Sequence, residues 1–201
     1  MDNLIIIGAG GHGRVIFDIA LSLNKYKTVS FLDDQKVGAK NVLGKVSDFS
    51  KFLFSHEFVV GIGDEKVREK ITLTLKDSGA KIVSLVHEKA VIGSDVSIGN
   101  GTVVMAGAVI NNGAKIGEGV IVNTCASIDH DCMVGDYTHV SVGARLAGTV
   151  VLEKRVFIGA GAVVINNVSI ISDVVIGAGA VVVKNILEKG IYKGVPARKG
   201  E

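Results

Sequence analysis

The chain has 201 residues, of which 48% are hydrophobic but only 5% aromatic, and its formal net charge is +2. A charge this small gives no electrostatic support for binding a nucleic acid. No apolar run reaches membrane-spanning length, the N-terminus lacks the basic and apolar regions of a signal peptide, and the two cysteines have neither a secretory context nor metal-site spacing. These features predict a cytoplasmic protein with reduced cysteines, no membrane partner and no metal.

The first 86 residues have a pattern of alternating strands and helices. The apolar segment Leu4–Ile7 ends in a glycine-rich turn, and a later apolar strand ends at Asp33 and Asp34. In chain order we expect a strand at 4–7, a turn at 8–13, a helix at 14–23, strands at 28–32 and 58–63, a helix at 65–79 with Val67, Ile71 and Leu75 on its apolar face, and a strand at 81–86. Strand, glycine turn, helix and strand in this order are half of a doubly wound parallel sheet.

The glycines of Gly8–Gly13 fit the pattern G-x-G-x-x-G, and acidic residues follow about 20 positions later, as in dinucleotide-binding domains. Such a turn offers backbone N–H groups at a helix N-terminus, which suit a pyrophosphate. Asp33 or Asp34 could then accept hydrogen bonds from ribose or sugar hydroxyls. A nicotinamide cofactor is disfavoured, because the segment is only about half of a full dinucleotide-binding domain. A nucleotide-sugar carries the same pyrophosphate and fits better, and a glycine turn without a ligand is the remaining alternative.

From Ala90 onward, sixteen consecutive hexapeptides have an aliphatic residue at the third position and a small or medium residue at the first. A short fixed period of this kind predicts a parallel β-helix, in which three hexapeptides close one triangular coil and both positions point inward. Antiparallel strands would need turn signals every 8–12 residues, out of phase with a period of six. Glycines follow the third position where we expect corners with positive φ: Gly93, Gly99, Gly117, Gly135, Gly159 and Gly177.

Polar residues that interrupt the repeat are the candidates for chemistry, because the fold does not need them. His130 and Asp131 occupy the fifth and sixth positions of one hexapeptide and His139 the second position of another, so we expect them on the outer surface of the prism. A surface histidine is usually only solvated, but a carboxylate beside it can set its ionisation and orientation. The pair would then act as a general base for an amine or hydroxyl that attacks a thioester, with Asn123 as a candidate donor to the oxyanion.

The two histidines are nine residues apart, half a coil along the chain, and we expect them near different edges of one prism. Prisms packed side by side in a trimer could bring them into one cleft. Neither cysteine is a well-supported nucleophile, because Cys132 is predicted to point inward and Cys125 to lie at a corner. The pattern therefore favours direct acyl transfer over a covalent acyl-enzyme.

Taken together, these segments resemble the left-handed β-helix acyltransferases of the hexapeptide-repeat superfamily. Within it, the chain is most similar to the sugar acetyltransferases of the sialic-acid O-acetyltransferase-like branch, which carry a small nucleotide-sugar domain before the β-helix. Among these it most resembles enzymes that N-acetylate a UDP-linked 4-amino-4,6-dideoxy sugar. The resemblance extends over the whole chain and is carried by Gly8–Gly13, Phe31–Asp34, Val60–Gly63, Ile128–Cys132, His139–Ala144 and Gly194–Ala197.

The resemblance implies a Rossmann-like nucleotide-sugar-binding domain at 1–86 and a left-handed β-helix at 87–201, assembled as a homotrimer with acetyl-CoA between adjacent β-helices. It makes His130 the catalytic base and Asp131 its partner. It assigns the nucleotide-linked amino sugar to Gly10, Gly11, His12, Asp33, Asp34, Gly63, Asp64 and Asn123. It assigns acetyl-CoA to His139, Gly148, Gly159, Ala160, Gly177 and Ala178.

Both ends of the predicted prism need cover, since a terminal coil exposes its core. We expect the last coil to be capped by residues 185–200, through Ile186, Leu187 and Ile191, and the first coil to be covered by the N-terminal domain. Valine and isoleucine side chains on the flat faces of the prism also favour an oligomer.

The predicted function is acetyl-CoA-dependent N-acetylation of a nucleotide-linked amino sugar, with UDP as the carrier, for bacterial surface glycans. An O-acetyltransferase of sialic acid or another sugar, and an N-acetyltransferase of a GDP- or dTDP-linked amino sugar, are alternatives within the same chemistry. A non-catalytic β-helical scaffold is disfavoured by His130 and the glycine turn, neither of which a scaffold needs. A nicotinamide oxidoreductase is the alternative from a third class.

Overall fold

The computed structural model describes residues 2–200 and contains an α/β part followed by a parallel β-helix. The α/β part consists of β1 (Asp2–Ile7), α1 (Gly11–Ser22), β2 (Tyr26–Leu32), β3 (Val42–Gly44), a 3-10 helix (Val46–Phe52), β4 (Glu57–Val60), α2 (Glu65–Asp77) and β5 (Lys81–Ile82). The five strands form one parallel sheet in the order β3-β2-β1-β4-β5. This is the predicted half of a doubly wound sheet.

Both faces of β1 are buried because the two helices cover opposite sides of the sheet. Leu4 and Ile6 belong to the same buried cluster as Ile16 of α1, whereas Ile5 belongs to the cluster that contains Leu75 of α2. Successive side chains of a strand point to opposite faces, so a strand buried on both sides needs the continuous apolar run that this segment has.

The structure differs from the sequence expectation at three places in this part. The strand and the 3-10 helix at 42–52 were not predicted, since this segment has no clear hydrophobic period. The segment 81–86 is two strands, because β5 pairs with β4 whereas β6 (Leu85–Val86) pairs with a strand of the β-helix. On α2 the buried residues are Arg68, Thr72 and Leu75, and Val67, expected on the apolar face, is 43% exposed.

The remaining strands are short and build three sheets along the prism. Sheet I contains β6, β9 (Val103–Val104), β12 (Ile121–Val122), β15 (His139–Val140), β18 (Phe157–Ile158), β21 (Val174–Ile176), β23 (Gly190–Lys193) and β24 (Arg198–Lys199). Sheet II contains β7 (Val91–Ile92), β10 (Val109–Ile110), β13 (Ser127–Ile128), β16 (Arg145–Leu146), β19 (Val163–Val164) and β22 (Val181–Val182). Sheet III contains β8 (Ser97–Ile98), β11 (Lys115–Ile116), β14 (Met133–Val134), β17 (Val151–Leu152) and β20 (Ser169–Ile170).

Each strand of the repeat pairs in parallel with the strand one coil further along. Val104 pairs with Val122 and Val122 with Val140, which confirms the predicted coil of three hexapeptides. The third-position side chains from Val104 to Val182 are at most 4% exposed. The hexapeptide period therefore forms the core of the prism, and this architecture fits the left-handed β-helix that the resemblance implies.

The reason predicted for the glycines at the fourth position is wrong. Positive φ occurs at the sixth position instead, as at Gly119 with φ of 59°. The fourth-position glycines are needed because successive coils come too close for a side chain. A Cβ on Gly99 would lie 2.6 Å from the carbonyl carbon of Gly117, and a Cβ on Gly135 would lie 2.6 Å from that of Glu153.

The α/β part packs on the side of the prism, against sheet I. Its buried cluster joins Ile16 of α1 to Leu85, Val103 and Ile121 of sheet I. The expected cover of the first coil is therefore wrong, and Ile92 of that coil is 37% exposed. The physical reason is that outward positions of sheet I are apolar in three successive coils, which offers more apolar surface than the open end of a single coil.

The segment after β22 caps the last coil with fewer apolar contacts than expected. Ile186 is buried against the prism core, as is Ala197, but Leu187 and Ile191 are 72% and 57% exposed. Ile191 points outward because β23 extends sheet I and aligns it with the outward residue Val175. Of the three expected capping residues, only Ile186 fills that role.

The predicted boundary after residue 86 falls at the end of β6, which already belongs to sheet I. The division of the chain into two functional domains at this point stays a prediction. Within residues 2–200, no helix has the length and apolar character needed to cross a membrane.

Candidate active site

A cavity of about 680 Å³ opens at the carboxyl ends of β1, β2 and β4, the edge at which open parallel sheets bind ligands. Lys36 and Lys70 line it and supply positive charge. Its lining also includes six residues expected to bind the substrate: Gly10, Gly11, His12, Asp33, Asp34 and Gly63. The cavity therefore has the size and charge to hold a small anionic ligand.

The glycine turn shapes one wall of this cavity. α1 begins at Gly11, and its first turn has no acidic side chain and no side-chain cap, so its N–H groups remain available to an anion. A Cβ on Gly13 would lie 1.9 Å from the carbonyl oxygen of Gly8, whereas Gly10 and Gly11 have open space beside them. The turn thus combines a close contact between helix and strand with an accessible backbone.

The two aspartates at the end of β2 have different partners. Asp33 accepts three backbone hydrogen bonds, one of them from Ala9 at 2.7 Å. Burial opposes the ionisation of Asp33, but these hydrogen bonds outweigh it and lower the pKa of the carboxyl group. Asp34 accepts from Val46 at 2.9 Å through Oδ1. Asp33 therefore holds the loop together, and Asp34 keeps more capacity to accept from a ligand hydroxyl.

Asp64 and Gly63, which follow β4, both contact α2. Asp64 is not among the residues that line the cavity, and it caps α2 by accepting from the N–H of Val67 at 2.8 Å. The carbonyl of Gly63 accepts from Nη1 of Arg68 at 2.7 Å. The loop between β4 and α2 is thus fixed from the side of the helix.

Two half-buried histidines meet where α1 faces sheet I. The ring centroids of His12 and His139 are 6.4 Å apart, so the α/β part covers His139, which was expected to be exposed. Nδ2 of Asn123 donates to Nε2 of His139 at 3.0 Å, and this contact puts the ring proton on Nδ1. Within residues 2–200, Nδ1 of His139 and Nε2 of His12 are buried without a hydrogen-bond partner. The amide of Asn123 is thereby engaged by His139 rather than open to an oxyanion.

Both of these rings are neutral at pH 7. Burial lowers the pKa of His12 to about 4 and the pKa of His139 to about 3, and the positive charge of Arg68 acts in the same direction. A neutral imidazole can donate from one nitrogen and accept at the other. The two histidines are thus suited to hydrogen-bond a polar, uncharged group rather than to neutralise an anion.

His130 lies on an edge of the prism, as the sequence predicts. Its side chain is 57% exposed, and Nδ1 lies 2.9 Å from Oδ2 of Asp131. This hydrogen bond, and the negative charges of Asp129 and Asp131, raise the pKa of His130. Asp129 accepts from the His130 N–H at 2.8 Å and from Asn111 at 2.8 Å, which fixes the backbone beneath the ring. Nε2 approaches Gly148 one coil further on, where a Cβ would lie 2.5 Å from it.

The residues expected to bind acetyl-CoA fall on two edges of the prism. Gly148 shares the edge between sheets II and III with His130. The pairs 159–160 and 177–178 stack one coil apart on the edge between sheets I and II, where a Cβ on Gly159 would lie 2.6 Å from the backbone nitrogen of Ala178. At each edge glycine thus permits a close contact that a side chain would block, with the His130 ring at Gly148 and with the next coil at Gly159.

A single chain does not bring its cavity and His130 together. The cavity lies beside sheet I, whereas His130 lies on the edge between sheets II and III. In a triangular prism that edge is opposite sheet I. The body of the prism therefore stands between the two features.

Three cationic residues near the cavity were not predicted: Lys36, Lys70 and Arg68. Lys36 donates to the carbonyl of Ala9 at 2.8 Å across the glycine turn, and Arg68 is only 1% exposed. The one sequence signal for Arg68 is its spacing of four and seven residues from Thr72 and Leu75, which places a cation on the buried face of α2. The lysines carry no such signal, since they resemble any solvated charge.

Two family models match this chain. Residues 3–75 match the PglD N-terminal domain, and residues 89–124 match the bacterial transferase hexapeptide (six repeats). Among curated proteins, UDP-N-acetylbacillosamine N-acetyltransferase of Bacillus subtilis is 32% identical over 113 residues, which are 53% of this chain and 52% of that protein. The alignment thus spans about half the length of that relative.

Solved structures match over nearly the full length. The acetyltransferase domain of PglB from Neisseria gonorrhoeae superimposes with a TM-score of 0.95 at 36% identity, covering 99% of this chain and 100% of that one. The same domain in complex with acetyl coenzyme A also has a TM-score of 0.95, covering 98% of each chain. PerB from Caulobacter crescentus, in complex with CoA and GDP-perosamine, has a TM-score of 0.94 at 33% identity, covering 100% of this chain and 98% of that one.

Proposed function

Because the chain belongs to the hexapeptide-repeat acetyltransferases that carry a PglD-type N-terminal domain, we propose that it transfers an acetyl group from acetyl-CoA to the amino group of a nucleotide-linked sugar. We take the acceptor to be a UDP-linked 4-amino-4,6-dideoxy sugar. The GDP-perosamine in the PerB complex makes a GDP-linked amino sugar the second candidate. The observation that carries the proposal is His130, an exposed imidazole held by Asp131 on the surface of the prism.

The cavity of the α/β part is the proposed site for the nucleotide-sugar. The N–H groups at the start of α1, beside Gly10 and Gly11, suit its pyrophosphate. Lys36 and Lys70 contribute positive charge to the same cavity, and Asp34 has a carboxylate oxygen to spare for a ribose hydroxyl. His12, neutral and at the inner wall, would contact the sugar.

In the proposed reaction His130 acts as a general base. The amine nitrogen forms a bond to the carbonyl carbon of the thioester while Nε2 of His130 takes a proton from that nitrogen. The C–S bond then breaks, and the CoA sulfur leaves and takes up the proton from the imidazolium. Asp131 keeps the other proton of the ring on Nδ1, so that Nε2 is the basic nitrogen. No covalent acyl-enzyme is needed, and Cys132 is buried.

The complete site is proposed to form between subunits of a homotrimer. One chain separates its cavity from its His130 by the width of the prism, so the acceptor bound by one subunit would meet His130 of a neighbour. Acetyl-CoA would lie between the two prisms, with its thioester beside Gly148 and its pantetheine arm along the stacked corners at 159–160 and 177–178. A role for His139 near the thioester stays a prediction.

The pH dependence of acetyl transfer tests the base directly. Asp131 raises the pKa of His130 above its ordinary value of 6.5, and only the neutral imidazole can accept the proton. We therefore expect kcat/KM to rise with pH through that raised pKa and then level off. In Asp131→Asn the hydrogen bond to a charged partner is lost, so the rise is expected at lower pH than in wild type, measured as initial rates of CoA release.

The amino group of the acceptor also loses a proton as the pH rises. Its contribution to the rise in kcat/KM is the same in every variant of the enzyme. If wild type and Asp131→Asn had identical pH profiles, the rise in kcat/KM would come from the acceptor amine, which would contradict the role of His130. The matched control is Asp136→Asn, which removes the charge of a half-buried aspartate at a neighbouring corner of the prism. This control is expected to keep the wild-type profile.

A further inference from the structure

Arg68 is a buried cation whose side chain, in the described part of the chain, donates to four backbone carbonyls and to no side chain. It is 1% exposed on α2, and within residues 2–200 it forms no ion pair with a carboxylate. Burial lowers the pKa of Arg68 to about 10, which leaves the guanidinium charged at pH 7. Removing a cation from water is costly unless its donors are satisfied, so the contacts of this side chain indicate what it does.

One side of the guanidinium contacts two successive coils of the β-helix. Nε donates to the carbonyl of Gly119 at 2.7 Å, and Nη2 donates to the carbonyl of Tyr137 at 2.5 Å. These residues are one coil apart, at equivalent corners between sheets III and I, with φ of 59° at both. The guanidinium of Arg68 is thus held by two carbonyls whose separation is set by the constant spacing of the stacked coils.

The other side of the guanidinium contacts the wall of the cavity. Nη1 donates to the carbonyls of Ile62 at 3.0 Å and Gly63 at 2.7 Å. Both residues belong to the loop between β4 and α2 and line the cavity. One planar group therefore connects the loop of the nucleotide-sugar site to the frame of the β-helix.

The ion pairs between α2 and the β-helix lack this connection to the loop. Arg155, at the next equivalent corner, bonds Glu69 of α2 at 3.0 Å, and Lys76 of α2 bonds Glu118 at 2.7 Å. Both pairs attach α2 to the prism, but neither contacts the loop at 62–63. They provide matched controls for attachment without loop positioning.

We propose that Arg68 is a positioning residue, which fixes the position of the β4–α2 loop along the axis of the β-helix. The bound nucleotide-sugar then presents its amine at the reaction centre. The inference rests on the proposed function of the cavity. Lysine cannot replace arginine here, because the contacts need donors that diverge in one plane toward two surfaces, and an ammonium group is a single point.

The test compares Arg68→Lys and Arg68→Gln with Arg155→Met and Lys76→Met in the full chain. Misplacement of an acceptor by about 1 Å lowers a transfer rate by up to 10²-fold. We expect both Arg68 variants to lose about tenfold or more in kcat for the acceptor, while KM for acetyl-CoA stays within about twofold of wild type. The two control variants are expected to keep wild-type kinetics even where their melting temperature falls.

Stability and positioning are separated by normalising kcat to the fraction of protein that binds acetyl-CoA. Normal kcat per acetyl-CoA-binding molecule in both Arg68 variants would overturn the inference, as would an equal loss in Arg155→Met or Lys76→Met. If wild type acetylates no sugar, the proposed function fails separately, and the inference is tested by titrating UDP and GDP. Weaker binding in Arg68→Lys than in wild type supports it, and equal binding, or no binding to wild type, overturns it.

Discussion

Replacing His130 with alanine is expected to lower kcat for acetyl transfer by about 10²-fold or more, with little change in KM for acetyl-CoA. The removed imidazole is the only base that the proposal assigns to the attacking amine, and positioned general bases contribute effects of this size. The fold should tolerate the change, because the side chain is 57% exposed and its hydrogen bonds are made at the surface. The measurement is steady-state release of CoA, with thermal unfolding recorded for each variant.

The matched control for this experiment is His87→Ala. His87 lies near the start of the β-helix, and its Nδ1 accepts a hydrogen bond from the backbone N–H of Lys89. It is expected to keep wild-type turnover. Activity of His130→Ala within about threefold of wild type would show that His130 is not the general base, since another proton acceptor would then be equally effective.

Two inactive variants are expected to restore activity when they are mixed within one oligomer. His130→Ala keeps an intact cavity, and Gly11→Asp keeps an intact His130. The aspartate has open space beside Gly11 and is compatible with a helix N-terminus, but its carboxylate would repel the pyrophosphate. Each variant alone is expected to retain about 1% of wild-type turnover or less.

If the site combines the cavity of one subunit with His130 of its neighbour, random assembly makes one interface in four complete. Over the whole randomly assembled population this gives about one quarter of wild-type activity, and in co-purified mixed trimers, each of which has one complete interface in three, it gives about one third. Recovery far below this value in proven mixed oligomers would contradict the shared site. A site within one chain predicts no recovery, because every chain in the mixture lacks one component.

The repeating part of the fold could be predicted from the sequence almost completely. Strand pairing across a coil repeats a local rule, so the inward positions from Val104 to Val182 follow from spacing alone. The glycine turn and the acidic pair after β2 were likewise predicted, because a tight turn before a helix has its own local signature. The His130–Asp131 contact was also predictable, since the two residues are adjacent in the chain.

What could not be predicted depends on surfaces that meet through three-dimensional docking. The sequence does not indicate that α1 packs on the outward residues Val103 and Ile121, which partly covers His139. It also does not indicate that Arg68 reaches two corners one coil apart. The glycine at 99 was assigned to the wrong cause, because crowding between coils involves a residue 18 positions away.

Incubation of the protein with acetyl-CoA and UDP-, GDP- and dTDP-linked 4-amino sugars, with both CoA release and the bond in the product measured, tests whether the enzyme is an N-acetyltransferase of nucleotide-linked sugars. We expect turnover with the UDP-linked amino sugar and an amide product that survives mild base. Turnover only with the GDP-linked sugar would support the proposed reaction but show that the carrier nucleotide is GDP rather than UDP. An ester product, or no turnover on any amino sugar while acetyl-CoA binds, would contradict the claim.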